Sequence, residues 1–335
     1  MKANTQALSG LRVLDLSRVL AGPLCTQHLA DLGAEVIKVE RPKVGDDTRQ
    51  WGPPWFQDDE GQDTSDSAWF HCTNRNKKSI VADLSSSDGQ SVIRELVKHC
   101  DVLVENFKVG DLTRYGLGYE DIKRINPRIV YCSITGYGQE GPYSHRPGYD
   151  FIFQGESGLM SVTGERDDLP GGGPQKVGVP VIDFVTGMYA TVAILAALKA
   201  RDSSGAGQYI DIALLDCGVA LGINLASTYA LNGVLPRRYG NSHPNTVPYQ
   251  TFETADGHIN VATGNDGQWQ RFCEALERED LANDMKLRRV RGRTAARETL
   301  IPSLETTMRK RTSHEWLERL EAHGVPAGAI NNYAQ

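Results

Sequence analysis

The chain has 335 residues, with 36 lysines and arginines against 42 aspartates and glutamates and a formal net charge of −6. That length suits about two domains with ample core, and an acidic balance without a lysine–arginine run argues against a nucleic-acid partner. The six cysteines (Cys25, Cys72, Cys100, Cys132, Cys217 and Cys273) include no C-x-x-C and no zinc-ligand spacing, so no metal is expected and the thiols are expected reduced and buried.

The polar opening "MKANTQALSG" has no signal-peptide core, which predicts a cytoplasmic protein. Residues 11–16 form a short apolar run of β character, residues 20–32 carry apolar side chains at helical spacing up to Gly33, and 36–39 is a second apolar run. This is a βαβ unit. A dinucleotide-binding unit would carry G-x-G-x-x-G in its first turn, where glycines let the backbone approach a pyrophosphate, and an acid after the second strand for a ribose hydroxyl. Glu40 stands in about that place, but the turn reads Ser17-Arg18-Val19-Leu20-Ala21-Gly22-Pro23 and Arg41 follows Glu40 at once. An arginine there suits adenine stacking or phosphate pairing, so an adenosine ligand with an extra ribose phosphate, such as coenzyme A (CoA), fits better than NAD. An ordinary parallel-sheet edge accounts for the same residues.

The pattern then recurs, with strands over 78–84, 102–105, 128–134 and 208–213 and helices over 88–99, 183–200 and 215–231. Such alternation predicts an α/β lobe with a mostly parallel sheet and helices on both faces. The apolar stretch 185–200 contains Thr186, Gly187 and Thr191 and falls short of the ~20 residues of a bilayer span, so no membrane partner is expected. Near Leu235 the pattern changes. "PYQTFETADGHINVATG" reads as a hairpin turning at Asp256-Gly257, and short charged helices follow over 298–309 and 313–321. The chain thus divides into a large lobe, 1–232, and a smaller α+β lobe, 233–335.

Two segments could carry chemistry. In "LPGGGPQKVGVPVIDFVTGMYATVAILAALKA" a glycine loop and an apolar run lead to Asp183, where a long helix begins. An N-cap aspartate accepts backbone N–H bonds that, with the helix dipole, favour its ionised form. A fixed, ionised carboxylate is a competent nucleophile, and a plain cap accounts for the residue as well. "SITGYGQEGPYSHRPGYDFIFQGESGLM" follows a strand, the usual place for ligand loops in an open α/β sheet, and also fits a long surface connection. There is no G-x-S-x-G elbow, P-loop or H-E-x-x-H, and the eight histidines are isolated.

"LDLSRVLAGPLCTQHLADLGAEVIKVERP", "GDDTRQWGPP", "NRNKKSI", "DVLVENFKVGDLTRYGLGYEDI", "ITGYGQEGPY", "PGYD", "SGLM", "TGMYATVAILAAL" and "GNSHPNTVPYQTF" together resemble the class III CoA transferases, the CaiB/BaiF family, over nearly the whole chain. "GDDTRQWGPP", "NRNKKSI" and "VPYQTF" are most similar to the branch that moves CoA between short dicarboxylates, such as the succinyl-CoA:glutarate transferases. The resemblance implies the CaiB/BaiF fold, a Rossmann-like large lobe with a smaller one, and an interlocked homodimer. It implies that Val19, Ala21 and Arg41 line the adenosine end of CoA, that Asn106, Phe107 and Arg114 complete the pocket, and that Tyr137 lies near the thioester. Asp183 matches the catalytic aspartate, which would form first an acyl anhydride and then an aspartyl-CoA thioester. CoA and acyl-CoA enter as substrates, with no tightly bound cofactor. Ser85 stands where some members place a phosphate-binding lysine, and "YGNSHPN" where some carry a glycine-rich lid.

A short dicarboxylic acceptor needs partners for its distal carboxylate. Arg237, Arg238 and His243 in "RRYGNSHPN", with Tyr149, are the candidates, although a solvated turn accounts for that stretch equally. Two other functions remain open. An α-methylacyl-CoA racemase shares the fold and uses the histidine of a G-H-D sequence, but this chain has Gly148-Tyr149-Asp150, and tyrosine is a poor base at neutral pH. A non-catalytic CoA-binding protein would have no use for Asp183. The chain ends at "GVPAGAINNYAQ", where the resemblance implies a further segment returning to the large lobe.

Overall fold

The computed structural model describes residues 6–335, so the first half of the polar opening lies outside the described residues. In chain order the strands are β1 (Arg12–Asp15), β2 (Glu35–Glu40), a hairpin of β3 (Trp55–Gln57) and β4 (Asp63–Ser67), then β5 (Lys77–Val81), β6 (Val102–Glu105), β7 (Val130–Thr135) and β8 (Gln208–Ala213). Six of them form one sheet in the order β5-β2-β1-β6-β7-β8, and every pair in it is parallel. Its central strands are apolar on both faces because helices cover both. Val13 and Val36 pack with the first helix (Ala21–Asp31) and the long helix (Val181–Ser204), while their neighbours Leu14 and Leu103 pack with Ile93 and Val97 of the helix Ser87–Val97 on the other face.

The long helix extends beyond residues 183–200 and is long and apolar enough, by length and composition, to cross a bilayer. Its packing is that of a core helix. Ala190, Ile194 and Ala197 are buried in the main cluster, and the buried Arg201 pairs with Asp101 at 2.9 Å, a charge that hydrocarbon would not tolerate. The single helix expected over 215–231 is two, Leu214–Ala220 and Ile223–Asn232, bent by 78°. The break falls at Gly222 and at Ile223, whose φ of 38° lies outside the helical region.

Residues up to Ser161 together with Lys176–Pro236 form one compact unit. Val162–Gln175 and Arg237–Gln335 form the other, so a short excursion from the middle of the chain joins the C-terminal residues. In this second unit β9 (Tyr249–Glu253) and β10 (His258–Ala262) make the antiparallel hairpin, and β11 (Ala327–Ala329) extends it. Its core gathers Phe252, Ile259, Trp269, Phe272, Leu304 and Trp316. The helix Ser313–Ala322 starts with a capping box between Thr312 and Glu315. All six cysteines are free; five are buried, but Cys72 is exposed, against expectation, on the outer face of the short helix Ala68–Asn74.

Candidate active site

The chain leaves β1 towards β2 and β5 on one side, and returns through β6 towards β7 and β8 on the other. An open parallel sheet binds ligands where its strand order reverses, outside the carboxyl ends of the two diverging strands. Here those ends continue into residues 17–20 and 106–109. With residues 144–149 they line a cleft of about 490 Å³, which also takes in Asp47, Trp51, Gly136, Asp183 and Leu214. Gly148 in its wall is required by close approach, since a Cβ there would lie 2.2 Å from the ring of the buried Phe153.

Asn106 fixes the first of these loops. It accepts from the Arg18 N–H at 2.9 Å and donates to the Arg18 carbonyl at 2.6 Å. Val19 has a φ of 71°, a left-handed conformation that a β-branched residue rarely adopts, and its N–H is held by Asp46 Oδ1 at 3.2 Å. The Arg18 guanidinium lies 5.7 Å from the centre of the Phe107 ring and pairs with Asp47 at 3.2 Å. Ala21 opens the first helix, which has no side-chain cap.

Asp183 reaches the cleft because the long helix crosses close to the first. Gly187 makes that approach possible, since a Cβ there would lie 2.9 Å from the Ala21 carbonyl oxygen. Asp183, one turn earlier on the same face, therefore sits beside the start of the first helix. The sequence places Asp183 at an N-cap; the structure makes it the third residue of the helix and gives the capping role to Asp150. Asp150 Oδ1 accepts from the Ile182 N–H at 2.7 Å and the Asp183 N–H at 3.2 Å, while its Oδ2 accepts from Gln154 at 2.6 Å. The consequence for charge is opposite to that expected. Burial, and then the neighbouring Asp150 carboxylate, push the Asp183 carboxyl up to about 7.

The other candidates divide. Val19, Ala21, Asn106, Phe107 and Tyr149 line the cleft with Asp183. Arg41 lines a smaller hollow that shares Arg18 and Phe107 with it, and pairs with Asp47. Glu40 is committed to Arg49, which donates to both its oxygens at 2.7 Å, and so is no ribose acceptor. Burial opposes its charge, but the bonds from Arg49 and Ser79 bring it down to about 2. Arg114 and Tyr137 are not in the lining. Arg114 pairs with Asp111 at 3.3 Å and lies over the Tyr115 ring; the Tyr137 hydroxyl donates to Glu156 at 2.8 Å. Lys108, His145 and Arg146 line the cleft and were not singled out from the sequence, although their segments, "ENFKVG" and "YSHRPGYD", were. Among the described residues no group of three His, Cys, Asp or Glu is placed to share a metal ion.

Arg237, Arg238 and His243 belong to the second unit. Arg238 pairs with Asp167 and Arg237 is exposed. His243 Nδ1 accepts from the Asn245 N–H at 3.1 Å, and its carbonyl accepts from Arg297 at 2.6 Å.

Residues 8–335 match the family described as CoA-transferase family III. The chain is 48% identical over 325 residues to a succinate–glutarate CoA-transferase of Agrobacterium fabrum, covering 97% of this chain and 80% of that one. It is 44% identical over 329 residues to human succinyl-CoA:glutarate CoA-transferase, covering 98% of this chain and 73% of that one. A CaiB/BaiF family protein from Brucella suis superposes with a TM-score of 0.88 at 46% identity, over 98% of this chain and 85% of that one. A match of this extent, over a sheet whose reversal point carries the cleft, makes the chain a CoA-transferase of family III, with the CaiB/BaiF fold.

Proposed function

We propose that this CoA-transferase moves CoA from succinyl-CoA or a similar donor to a short dicarboxylic acid, with Asp183 as the nucleophile. The observation that carries this reading is the Asp183 carboxyl in the wall of the same cleft as the loops after β1 and β6. The ionised Asp183 oxygen attacks the thioester carbonyl carbon of the donor; the C–S bond breaks, leaving an aspartyl-acyl anhydride and a CoA thiolate. The thiolate attacks the aspartyl carbonyl, releasing the donor acid and forming an aspartyl-CoA thioester. The acceptor carboxylate attacks that thioester, giving a second anhydride and the thiolate again. Attack of the thiolate on the acceptor's carbonyl releases the new acyl-CoA and restores Asp183. Water would hydrolyse each intermediate, so the cleft must exclude it during turnover.

Val19, Ala21, Asn106 and Phe107 hold the CoA nucleotide, with Arg41 in the adjoining hollow. The names of the relatives support a dicarboxylate acceptor. Arg237 and His243 are the candidates for its distal carboxylate, whereas Arg238 would first have to leave Asp167. The exposed Phe184, Met188 and Val192, four residues apart along the long helix, with Ile223 and Leu231, support a homodimer that covers them. Wild-type protein supplied with a panel of acyl-CoA donors and free acids, read by mass spectrometry, tests the assignment. Preference for butyrate over succinate and glutarate would refute the substrate class.

One observation favours proton abstraction instead: His145 lines the cleft even though Tyr149 stands in the G-H-D position. Transfer through Asp183 predicts no deuterium exchange at the α-carbon of a 2-methylacyl-CoA in heavy water, and rapid exchange would favour the racemase.

A further inference from the structure

Two lysines lie buried next to the loop after β1, and neither lines the 490 Å³ cleft. Lys77, at the start of β5, has a side chain only 2% exposed. Its ammonium donates to Asp15 Oδ2 at 3.0 Å, the Pro23 carbonyl at 2.8 Å and Asn74 Oδ1 at 2.9 Å, which uses all three of its N–H bonds. Lys38, on β2, donates to the Ser17 carbonyl at 2.9 Å and pairs with Asp46 at 2.8 Å. The aspartates carry the contacts onward. Asp15 Oδ1 accepts from the Ser17 N–H at 2.9 Å, and its Oδ2 accepts from Thr26 at 2.7 Å. Asp46 Oδ1 holds the Val19 N–H and the Thr48 N–H.

Together with Asn106, these side chains bind the N–H and carbonyl of Ser17, the N–H and carbonyl of Arg18, and the N–H of Val19. Lys77 ties Pro23, in the first turn of the first helix, to the same cluster. Buried charge pairs of this kind are weak evidence for stability, since apolar residues of the same volume often hold a fold as well or better. What they supply here is geometry, because a left-handed valine persists only where its surroundings over-determine it. We infer that the Lys77–Asp15 and Lys38–Asp46 pairs form a positioning clamp that holds residues 17–19 in the conformation CoA meets, so that Lys77 sets CoA affinity without touching CoA. This rests on the assignment of the cleft to CoA.

Lys77→Met should weaken CoA binding by calorimetry about tenfold or more, and raise KM for acyl-CoA in step, while kcat at saturation stays within about threefold of wild type. In the ligand-free protein the amides of residues 16–24 should exchange with deuterium about tenfold faster. Asp15→Asn/Lys77→Met removes both ends of the pair, so its losses should about match those of Lys77→Met alone. If Lys77→Met does not fold, Lys77→Gln, which removes the charge and keeps two N–H donors, is held to the same thresholds. CoA affinity within about twofold of wild type, together with unchanged exchange over 16–24, overturns the inference. So does a double variant that regains wild-type CoA affinity, because the loss in Lys77→Met would then come from the unpaired Asp15 charge and not from the clamp. A wild-type protein that fails to bind CoA, but whose Lys77→Met variant exchanges faster over 16–24, breaks the CoA assignment and leaves the clamp standing.

Discussion

Asp15 and Asp183 are the same side chain in the same unit, one fully buried and the other partly buried in the cleft wall, yet their pKa values move in opposite directions. Burial pushes each of them up. At Asp15 it is outweighed by Lys77 and Lys38 and by bonds from Ser17 and Thr26, and the group sits at about 2. At Asp183 burial is reinforced by Asp150, and the group sits at about 7. Burial alone therefore does not make a carboxyl reactive; the sign of its neighbours decides. Asp15 is surrounded by donors and holds structure. Asp183 has Asp150 as its charged neighbour instead, in keeping with the proposed nucleophilic role.

The contrast is tested most severely at Asp183 itself. Asp183→Asn should lower kcat by about 10³-fold or more while CoA still binds, because the amide keeps the shape but cannot form the anhydride. Trapping the wild-type acyl intermediate with hydroxylamine should modify this residue and no other; turnover near wild type in the variant would remove Asp183 from the mechanism.

The next effect is on stability, and its sign should differ between the two aspartates. Asp15 has a folded pKa below its unfolded value, so its contribution is present at neutral pH and lost as pH falls below about 4. Asp15→Asn should cost about 3–5 kcal/mol at pH 7, since it leaves Lys77 buried without its ion-pair partner. Asp183 has a folded pKa above its unfolded value, so the wild-type protein loses stability as pH rises from about 4 to 7. Asp183→Asn should melt higher than wild type at pH 8 and about level with it at pH 4. Melting curves of both variants at the two pH values decide the matter, and shifts of the same sign would dissolve the comparison.

Smaller effects sharpen it. Arg41→Ala should weaken CoA binding by about tenfold, as the loss of one charge-assisted contact in a solvated hollow, measurable by calorimetry. Asp150→Asn keeps an oxygen for the Ile182 and Asp183 N–H groups but removes the like charge. The acid limb of kcat/KM, expected near 7 in wild type, should then move down by about one unit, raising activity at pH 6 severalfold. An unmoved limb would leave burial as the sole cause.

How much of this was legible in the sequence depends on how far apart the partners lie. The β/α alternation, the hairpin at Asp256-Gly257 and the long helix carrying Asp183 are local patterns, and each is where the apolar spacing places it. The cap of that helix was not legible, because Asp150 arrives from 33 residues away. Nor was the pairing of Lys77 with Asp15, 62 residues apart, although "NRNKKSI" was visible as a motif. Arg114 and Tyr137 follow from the family resemblance and not from spacing; in the structure they contact Asp111 and Glu156 and are not in the cleft lining. The bend after Ala220 was hidden because Gly222 and Ile223 sit inside a stretch, 215–231, that reads as one helix.

The close crossing at Gly187 has a consequence for how this enzyme tolerates variation. Position 187 meets no substrate in the proposed mechanism, yet an alanine there would press on the Ala21 backbone and on Leu24, and the two helices would have to separate. Asp183, one turn away, would move with its helix, and displacement of a nucleophile by an ångström costs about 10²-fold in rate. In a saturation library scored for activity, Gly187 would therefore rank beside Asp183, the proposed nucleophile. A drift in its residue among descendants of this gene would announce loss of activity before Asp183 itself had changed.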